Sequence, residues 1–83
     1  MRNSSKIAKI HALGDALDAA NAARLAATSV YLAAREAHNL EGTDTTLTTM
    51  RETRADLEAA RADYTNAFDS YITTLRQYDA LHR

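Results

Sequence analysis

Large side chains recur every seven residues along the second half of the chain. One row contains Leu47, Arg54, Arg61, Phe68, Leu75 and His82, and a second row contains Met50, Leu57, Tyr64, Tyr71 and Tyr78. The first half has two matching rows, Ile10, Leu17, Arg24, Tyr31 and His38 in one and Leu13, Ala20, Ala27 and Ala34 in the other. A repeat held over about five heptads is typical of a coiled-coil stripe. Each half is therefore predicted to form one long helix.

A short Gly-Thr-Asp sequence separates the two halves. Gly42 suits the left-handed position that commonly ends a helix. Thr43 and Asp44 are both N-cap candidates for the second helix, which we expect over about 44–81. A connection of so few residues forces the two helices to lie antiparallel. The sequence thus predicts an all-α helical hairpin forming a single domain.

The composition supports long, uninterrupted helices. The chain of 83 residues has no proline, two glycines and 18 alanines, and alanine is the best helix former whereas proline is the worst. Ser4 or Ser5 is a candidate N-cap for the first helix, which we expect from about Ser5 to Glu41. Gly14 is its weakest point, because Asp15 could cap a new start there, but we favour a continuous helix.

Folding the hairpin about Gly42 pairs the rows of the two helices. Alanines of the first helix then face large residues of the second: Ala20 faces Tyr64, Ala27 faces Leu57 and Ala34 faces Met50. Small side chains against large ones are what a packed core requires. The same register places Leu13 opposite Tyr71, Leu17 opposite Phe68, Arg24 opposite Arg61, Tyr31 opposite Arg54, and His38 opposite Leu47.

Several apolar side chains lie outside these rows. They are predicted to form an interface, and they comprise Leu25, Val30, Leu32, Leu40 and Ile72. Contiguous apolar surface left in water usually marks an interaction site, and chains of about 80 residues rarely build a sufficient core alone. We therefore expect a homodimer that forms a four-helix bundle. The alternative is that this surface binds a different protein.

Three arginines occupy positions where an aliphatic side chain is expected. Arg24, Arg54 and Arg61 must each find an anion or reach water, because a guanidinium does not lose its charge. In a structural interpretation they extend to solvent along Tyr31 or Tyr64, or pair with Glu58. In a functional interpretation, the three arginines together with Tyr31 and Tyr64 bind a phosphate, a nucleotide, a dicarboxylate or an acidic segment of a partner protein.

The segment around His38 resembles part of a known family. Residues 37–42 read Ala-His-Asn-Leu-Glu-Gly and are similar to the His-x-Leu-Lys-Gly segment of histidine phosphotransfer domains. That resemblance implies a four-helix bundle in which His38 accepts a phosphoryl group. Glu41 stands where that family has lysine, so the resemblance covers the histidine but not its neighbouring positive charge.

A second resemblance is to the all-helical chorismate mutases. Arg24, Arg35 and the adjacent Arg51 and Glu52 follow in a similar order along the chain. The resemblance implies an intertwined helical dimer with an arginine-lined active site. This sequence has arginine at position 35 where that family typically has lysine, and Gln77 is its only candidate for the late glutamine.

Charge and residue usage limit the remaining functions. The net charge is −1 and the chain has no cysteine, which argues against nucleic-acid binding and against a thiolate metal site. The three histidines are too far apart for a helical metal pair, so neither a metal nor a cofactor is expected. No apolar run approaches the ~20 residues that span a bilayer, and we expect a cytoplasmic protein that does not act at a membrane.

The sequence therefore favours a non-enzymatic protein-interaction module over an enzyme. Small regulators and inhibitors encoded by phages and plasmids often have this size and simplicity. A binder of a small anionic ligand at the arginine cluster is the alternative, and an enzyme similar to either of the two families above is a more remote one.

Overall fold

The computed structural model describes residues 2–81, with the side chains of residues 4–81. Within that part the chain forms two helices and no strand: α1 is Arg2–Glu41 and α2 is Asp44–Leu81. The predicted all-α helical hairpin is confirmed. His82, which was predicted to continue a heptad row, lies outside the described residues.

The hairpin is a long rod rather than a compact body. Its principal dimensions are 59 × 15 × 13 Å and its radius of gyration is 18.4 Å, whereas a compact domain of this length has a radius of about 12 Å. Two helices side by side cover only one stripe of each other. Both broad faces of the rod are consequently open to solvent along its length.

The turn is closed by Gly42 and Thr43. Gly42 has a φ of 63°, the left-handed conformation expected at the end of a helix, and its N–H donates to the carbonyl oxygen of His38 at 2.8 Å. Thr43 is the N-cap of α2, because its Oγ1 accepts from the N–H of Thr46 at 3.1 Å. Of the two predicted N-cap candidates, Thr43 takes the role and Asp44 begins the first turn.

Thr46 connects the ends of the two helices. Its Oγ1 accepts from the N–H of Thr43 at 3.0 Å, which completes a reciprocal capping box with threonine in place of the usual glutamate. The same Oγ1 lies 2.9 Å from Nδ1 of His38 on α1. The turn is therefore held by side chains as well as by the backbone.

The start of α1 differs from the prediction. Ser4 and Ser5 lie inside the helix, which begins at Arg2, so the prediction that either serine caps it is wrong. The residues before them include no glycine or proline that would end the helix there. The predicted continuity of α1 through Gly14 is confirmed.

At two places along the hairpin, the observed neighbours agree with the predicted register to within one residue. A Cβ atom built on Gly14 would lie 3.5 Å from Cε2 of Tyr71, and Leu13 was the predicted partner of that tyrosine. His38 contacts Thr46, and Leu47 was its predicted partner. Arg24 departs further, because its side chain reaches Tyr64 instead of Arg61.

Along its middle, helix α2 turns a different row toward α1 than predicted, whereas Leu47 and Leu75, at the two ends of the predicted row, are half-buried. The half-buried row consists of small residues, Thr46, Thr53, Ala60, Ala67 and Thr74, whereas Arg54, Arg61 and Phe68 are exposed. The prediction that Arg54, Arg61 and Phe68 lie in the seam is therefore wrong. The two rows flank the row from Met50 to Tyr78 on opposite sides. Small side chains on the inner flank leave room for the large ones of the central row.

The core is very small. Ala34 and Leu57 are the only buried hydrophobic side chains among the described residues, at 9% and 4% exposure. Ala20 and Ala27 are half-buried in the same stripe of α1. The alanine row thus faces inward, as predicted, and the remaining large apolar side chains are left partly or largely in water.

Candidate functional site

An open groove of about 390 Å³ lies on one face of the rod, in the half nearer the turn. We call it the arginine groove; α1 contributes Thr28, Tyr31, Leu32 and Arg35 to it, and α2 contributes Arg54, Leu57, Glu58 and Arg61. The structure thus brings together three of the five side chains predicted to bind an anion. Arg35 was not among those five. Its position seven residues after Thr28 places it on the same side of α1.

The groove carries excess positive charge. Within the described residues one ion pair lies here, between Nε of Arg54 and Oε1 of Glu58 at 3.4 Å. Both side chains are more than 60% exposed, at 68% and 63%, so this pair contributes only a few tenths of a kcal/mol. The predicted pairing of Glu58 with Arg61 does not occur. Arg35 and Arg61 are exposed and have no ion-pair partner in the described part of the chain.

Arg24 and Tyr64, the other two predicted site residues, contact each other outside the groove lining. The guanidinium carbon of Arg24 lies 5.0 Å from the centre of the Tyr64 ring, and its Nη2 donates to Oδ1 of Asn21 at 2.7 Å. The Tyr64 ring lies 6.4 Å from that of Phe68. Nε of Arg24 is buried and has no hydrogen-bond partner among the described residues. The structure thus separates the predicted five-residue site into two parts.

Exposed apolar side chains extend along the same side of the rod as the arginine groove. Leu25 precedes the groove residue Leu32 by seven positions, and Phe68 follows the groove residue Arg61 by seven, so each shares a side with its partner. Ile7 lies three heptads before the groove residue Thr28 and shares its side for the same reason. Their exposed fractions range from 40% to 52%, and we define them as the apolar face: Ile7, Leu25, Leu32 and Phe68.

The predicted interface residues do not all belong to this face. Leu25 and Leu32 do, and Ile72 is half-buried on the same side, two heptads after Glu58. Val30 is 56% exposed, but it lies three heptads after Lys9, which lines a second groove of about 470 Å³ on the opposite face. Leu40 is 80% exposed near the turn. The sequence analysis did not place Phe68 among the exposed apolar residues, because it assigned Phe68 to the seam.

The residues behind the two family resemblances are not gathered into one site. Arg35 lines the arginine groove, Gln77 lines the second groove, and Arg24 lines neither. His38 is half-buried, with Nδ1 against Thr46 in the turn. A single hairpin therefore presents these groups on separate surfaces.

The arrangement is suited to binding negative charge beside apolar surface. Guanidinium groups form paired hydrogen bonds to carboxylates and phosphates, and the flanking leucines and phenylalanine offer area for a packed contact. Within residues 2–81, no three histidine or carboxylate side chains are grouped so as to hold a metal ion. Neither helix, over the same residues, contains a stretch apolar enough to cross a membrane.

No protein-family model matches the chain, and no curated protein or solved structure is significantly similar to it.

Proposed function

We propose that the chain is a non-enzymatic protein-interaction module: a small regulator or inhibitor that forms a homodimer and acts by covering a surface of a partner protein. The observation that carries this proposal is the amount of surface the single hairpin leaves in water. Its accessible area is 6141 Å², whereas a compact protein of 9.1 kDa exposes about 4,900 Å².

The excess area, roughly 1,200 Å², is of the size that protein interfaces remove. A standard interface buries about 800 Å² on each partner. The four large side chains of the apolar face lie within this exposed area, and large apolar surface left in water usually marks an interaction site. The proposal places the protein in the cytoplasm, which cell fractionation would test.

Light scattering and affinity capture together test this function. We expect a mass of about twice 9.1 kDa at micromolar concentration, and capture of a specific partner by the immobilised full chain. The matched bait is Leu25→Asp/Leu32→Asp, which introduces charge on the apolar face and should lose both properties. A monomeric chain that captures nothing beyond this variant would contradict the proposal.

A second candidate function is binding of a small anionic ligand in the arginine groove. Three guanidinium groups beside Tyr31 around one opening support it. Phosphate, ATP and a dicarboxylate should then raise the melting temperature, because a ligand of the native state stabilises it by RT ln(1 + [L]/Kd). The shift should disappear in Arg35→Gln/Arg61→Gln and persist in Arg76→Gln, a variant on an exposed arginine outside both grooves. Equal shifts in both variants would mean non-specific binding.

A further inference from the structure

We propose that the arginine groove binds an acidic amphipathic helix of the partner protein, whose carboxylates pair with Arg54 and Arg61. This inference rests on the proposed interaction module and adds to it the surface that is used and the chemistry of the partner. It does not depend on the homodimer.

The charge of the groove selects an anionic partner. Arg35, Arg54 and Arg61 border it, and among the described residues Glu58 is the one carboxylate in its lining. The ion pair of Glu58 with Arg54 is exposed to solvent, so exchanging it for a pair with another protein costs little free energy. The other two guanidiniums are exposed and have no ion-pair partner within residues 2–81. Carboxylates of a partner can form charge-assisted hydrogen bonds with them, whereas a basic surface is repelled.

A pair of side chains is repeated along this side of the rod. By the observed register of the two helices, Leu32 of α1 lies level with Arg54 of α2, and Leu25 lies level with Arg61, in both cases to within one helical turn. The two levels are one heptad apart, which is about 10.5 Å along a helix. Each level therefore offers an apolar side chain from α1 and a guanidinium from α2.

This spacing fits a helix better than an extended segment. Side chains one heptad apart lie on the same side of a helix and recur about every 10.5 Å. The side chains on one side of an extended strand recur about every 6.6 Å, so a strand along the groove would meet one level and miss the next. A helix that lies between two packed helices also contacts both of them, as in a bundle. The partner helix therefore has an acidic row facing the arginines and an apolar row beside it.

Two other kinds of anion fit the groove less well. Small ligands are usually enclosed over most of their surface, whereas this groove is open, and a single phosphate would occupy one of the two levels. Nucleic acids bind where positive charge predominates, but the chain has a net charge of −1 and Glu58 lies among the arginines. An acidic helix uses both levels and both kinds of side chain.

A synthetic peptide of about three heptads tests the inference on the full-length chain. Each heptad has leucine at its first and fourth positions, glutamate at its fifth, and alanine or glutamine elsewhere. We expect saturable binding by fluorescence anisotropy, at peptide concentrations where the peptide alone is monomeric. Binding should weaken as salt is added, because exposed charges are screened, and circular dichroism should show that the peptide gains helix content on mixing.

Variants of the peptide and of the protein provide matched controls. Lysine in place of every glutamate reverses the charge of the peptide, and a central proline breaks its helix without changing its charge. Arg54→Gln/Arg61→Gln should raise the dissociation constant about tenfold or more. Lys9→Gln/Arg76→Gln removes the same amount of charge at exposed positions outside the arginine groove and should have little effect.

Several results would overturn the inference. A glutamate peptide that does not bind, that binds no better than the lysine peptide, or that binds both protein variants equally would remove the acidic pairing. Equal binding of the proline peptide would mean an extended segment rather than a helix. ATP or duplex DNA that binds through Arg54 and Arg61, without binding of the peptide, would assign the groove to that ligand. In each case the interaction module stands if the full chain captures a partner that Leu25→Asp/Leu32→Asp loses, and it falls separately if no partner is captured.

Discussion

The guanidinium carbon of Arg24 lies 5.0 Å from the centre of the Tyr64 ring, so an aromatic face holds a half-buried charge near the middle of the hairpin. Such a contact contributes about 0.5–2 kcal/mol depending on its exposure to water. The Phe68 ring beside Tyr64, tilted by 32°, adds an aromatic pair in the usual distance range. Tyr64 is consequently the residue that links the arginine to the apolar face.

Two substitutions of Tyr64 distinguish the contribution of its ring to stability from that of its hydroxyl group. Tyr64→Phe retains the ring under Arg24 and should change the free energy of unfolding by less than about 0.5 kcal/mol. Tyr64→Leu removes the ring and should cost about 1–3 kcal/mol, because the cation–π and ring–ring contacts disappear together. Urea unfolding at matched chain concentration measures both. Equal losses in the two variants would show that the ring face is not what stabilises this position.

The two glycines should respond to alanine in opposite directions. Gly42→Ala forces a Cβ into the left-handed conformation at a φ of 63° and should destabilise the hairpin by about 1–2 kcal/mol. Gly14→Ala introduces a better helix former inside α1 and should stabilise it by about 0.5–1 kcal/mol. The new Cβ has room, since its nearest neighbour, Cε2 of Tyr71, would be 3.5 Å away. Thermal unfolding of each variant gives the sign of the change in stability. A destabilised Gly14→Ala variant would mean that the new Cβ clashes with the Tyr71 side chain.

The hydroxyl group of Thr46 should matter more than that of a neighbouring threonine. Thr46→Val removes the acceptor for Thr43 N–H and the contact with His38, and should cost about 1–2 kcal/mol. Thr48→Val, two residues further along the exposed side of α2, is the matched control and should stay within about 0.5 kcal/mol of the wild type. Similar effects of the two substitutions would mean that the turn is held by Gly42 and the backbone alone.

The inward alanine row should not tolerate larger side chains. Ala34→Leu inserts three heavy atoms at a position with 9% exposure and should cost about 1–3 kcal/mol by overpacking against α2. Ala33→Leu makes the same change one residue earlier, at an exposed site, and should be nearly neutral because alanine and leucine are both good helix formers. Chemical denaturation distinguishes them. A stabilised Ala34→Leu variant would indicate unfilled space between the helices.

The end of α1, the turn and the start of α2 could be predicted because single residues determine them. Gly42 adopts the conformation that glycine tolerates best, and Thr43 provides the side chain that the first turn of α2 needs. The pairing of the helices could be predicted to about one residue, because the two-residue connection leaves little freedom. These features depend on local chemistry and on the length of the turn.

The inner row of α2 could not be predicted from heptad spacing alone. Thr53 and Arg54 belong to rows on either side of Leu57, and both rows repeat every seven residues. Choosing the row with more large apolar residues placed Phe68 in the seam, whereas the structure leaves Phe68 43% exposed. Two helices that contact each other over so narrow a stripe pack best when small side chains lie beside the large ones. The arginines at positions 54 and 61 were the signal that their row faces outward.

The candidate site was only partly predictable for the same reason. Tyr31, Arg54 and Arg61 meet at one groove because the outer row of α2 borders it. Arg24 and Tyr64 belong to inward rows, so they contact each other within the hairpin. The sequence analysis assigned all five residues to the seam, and so treated the arginine groove and the contact between Arg24 and Tyr64 as one site.

The two-residue connection at Gly42 and Thr43 also determines the order in which the hairpin can assemble. Contacts beside the turn, such as that of His38 with Thr46, close a loop of only a few residues, whereas Gly14 and Tyr71 are separated by most of the chain. Loop-closure entropy increases with the number of residues enclosed, and each layer formed shortens the loop that the next must close. The hairpin should therefore zip from the turn outward, and its open end should be the first to separate on heating.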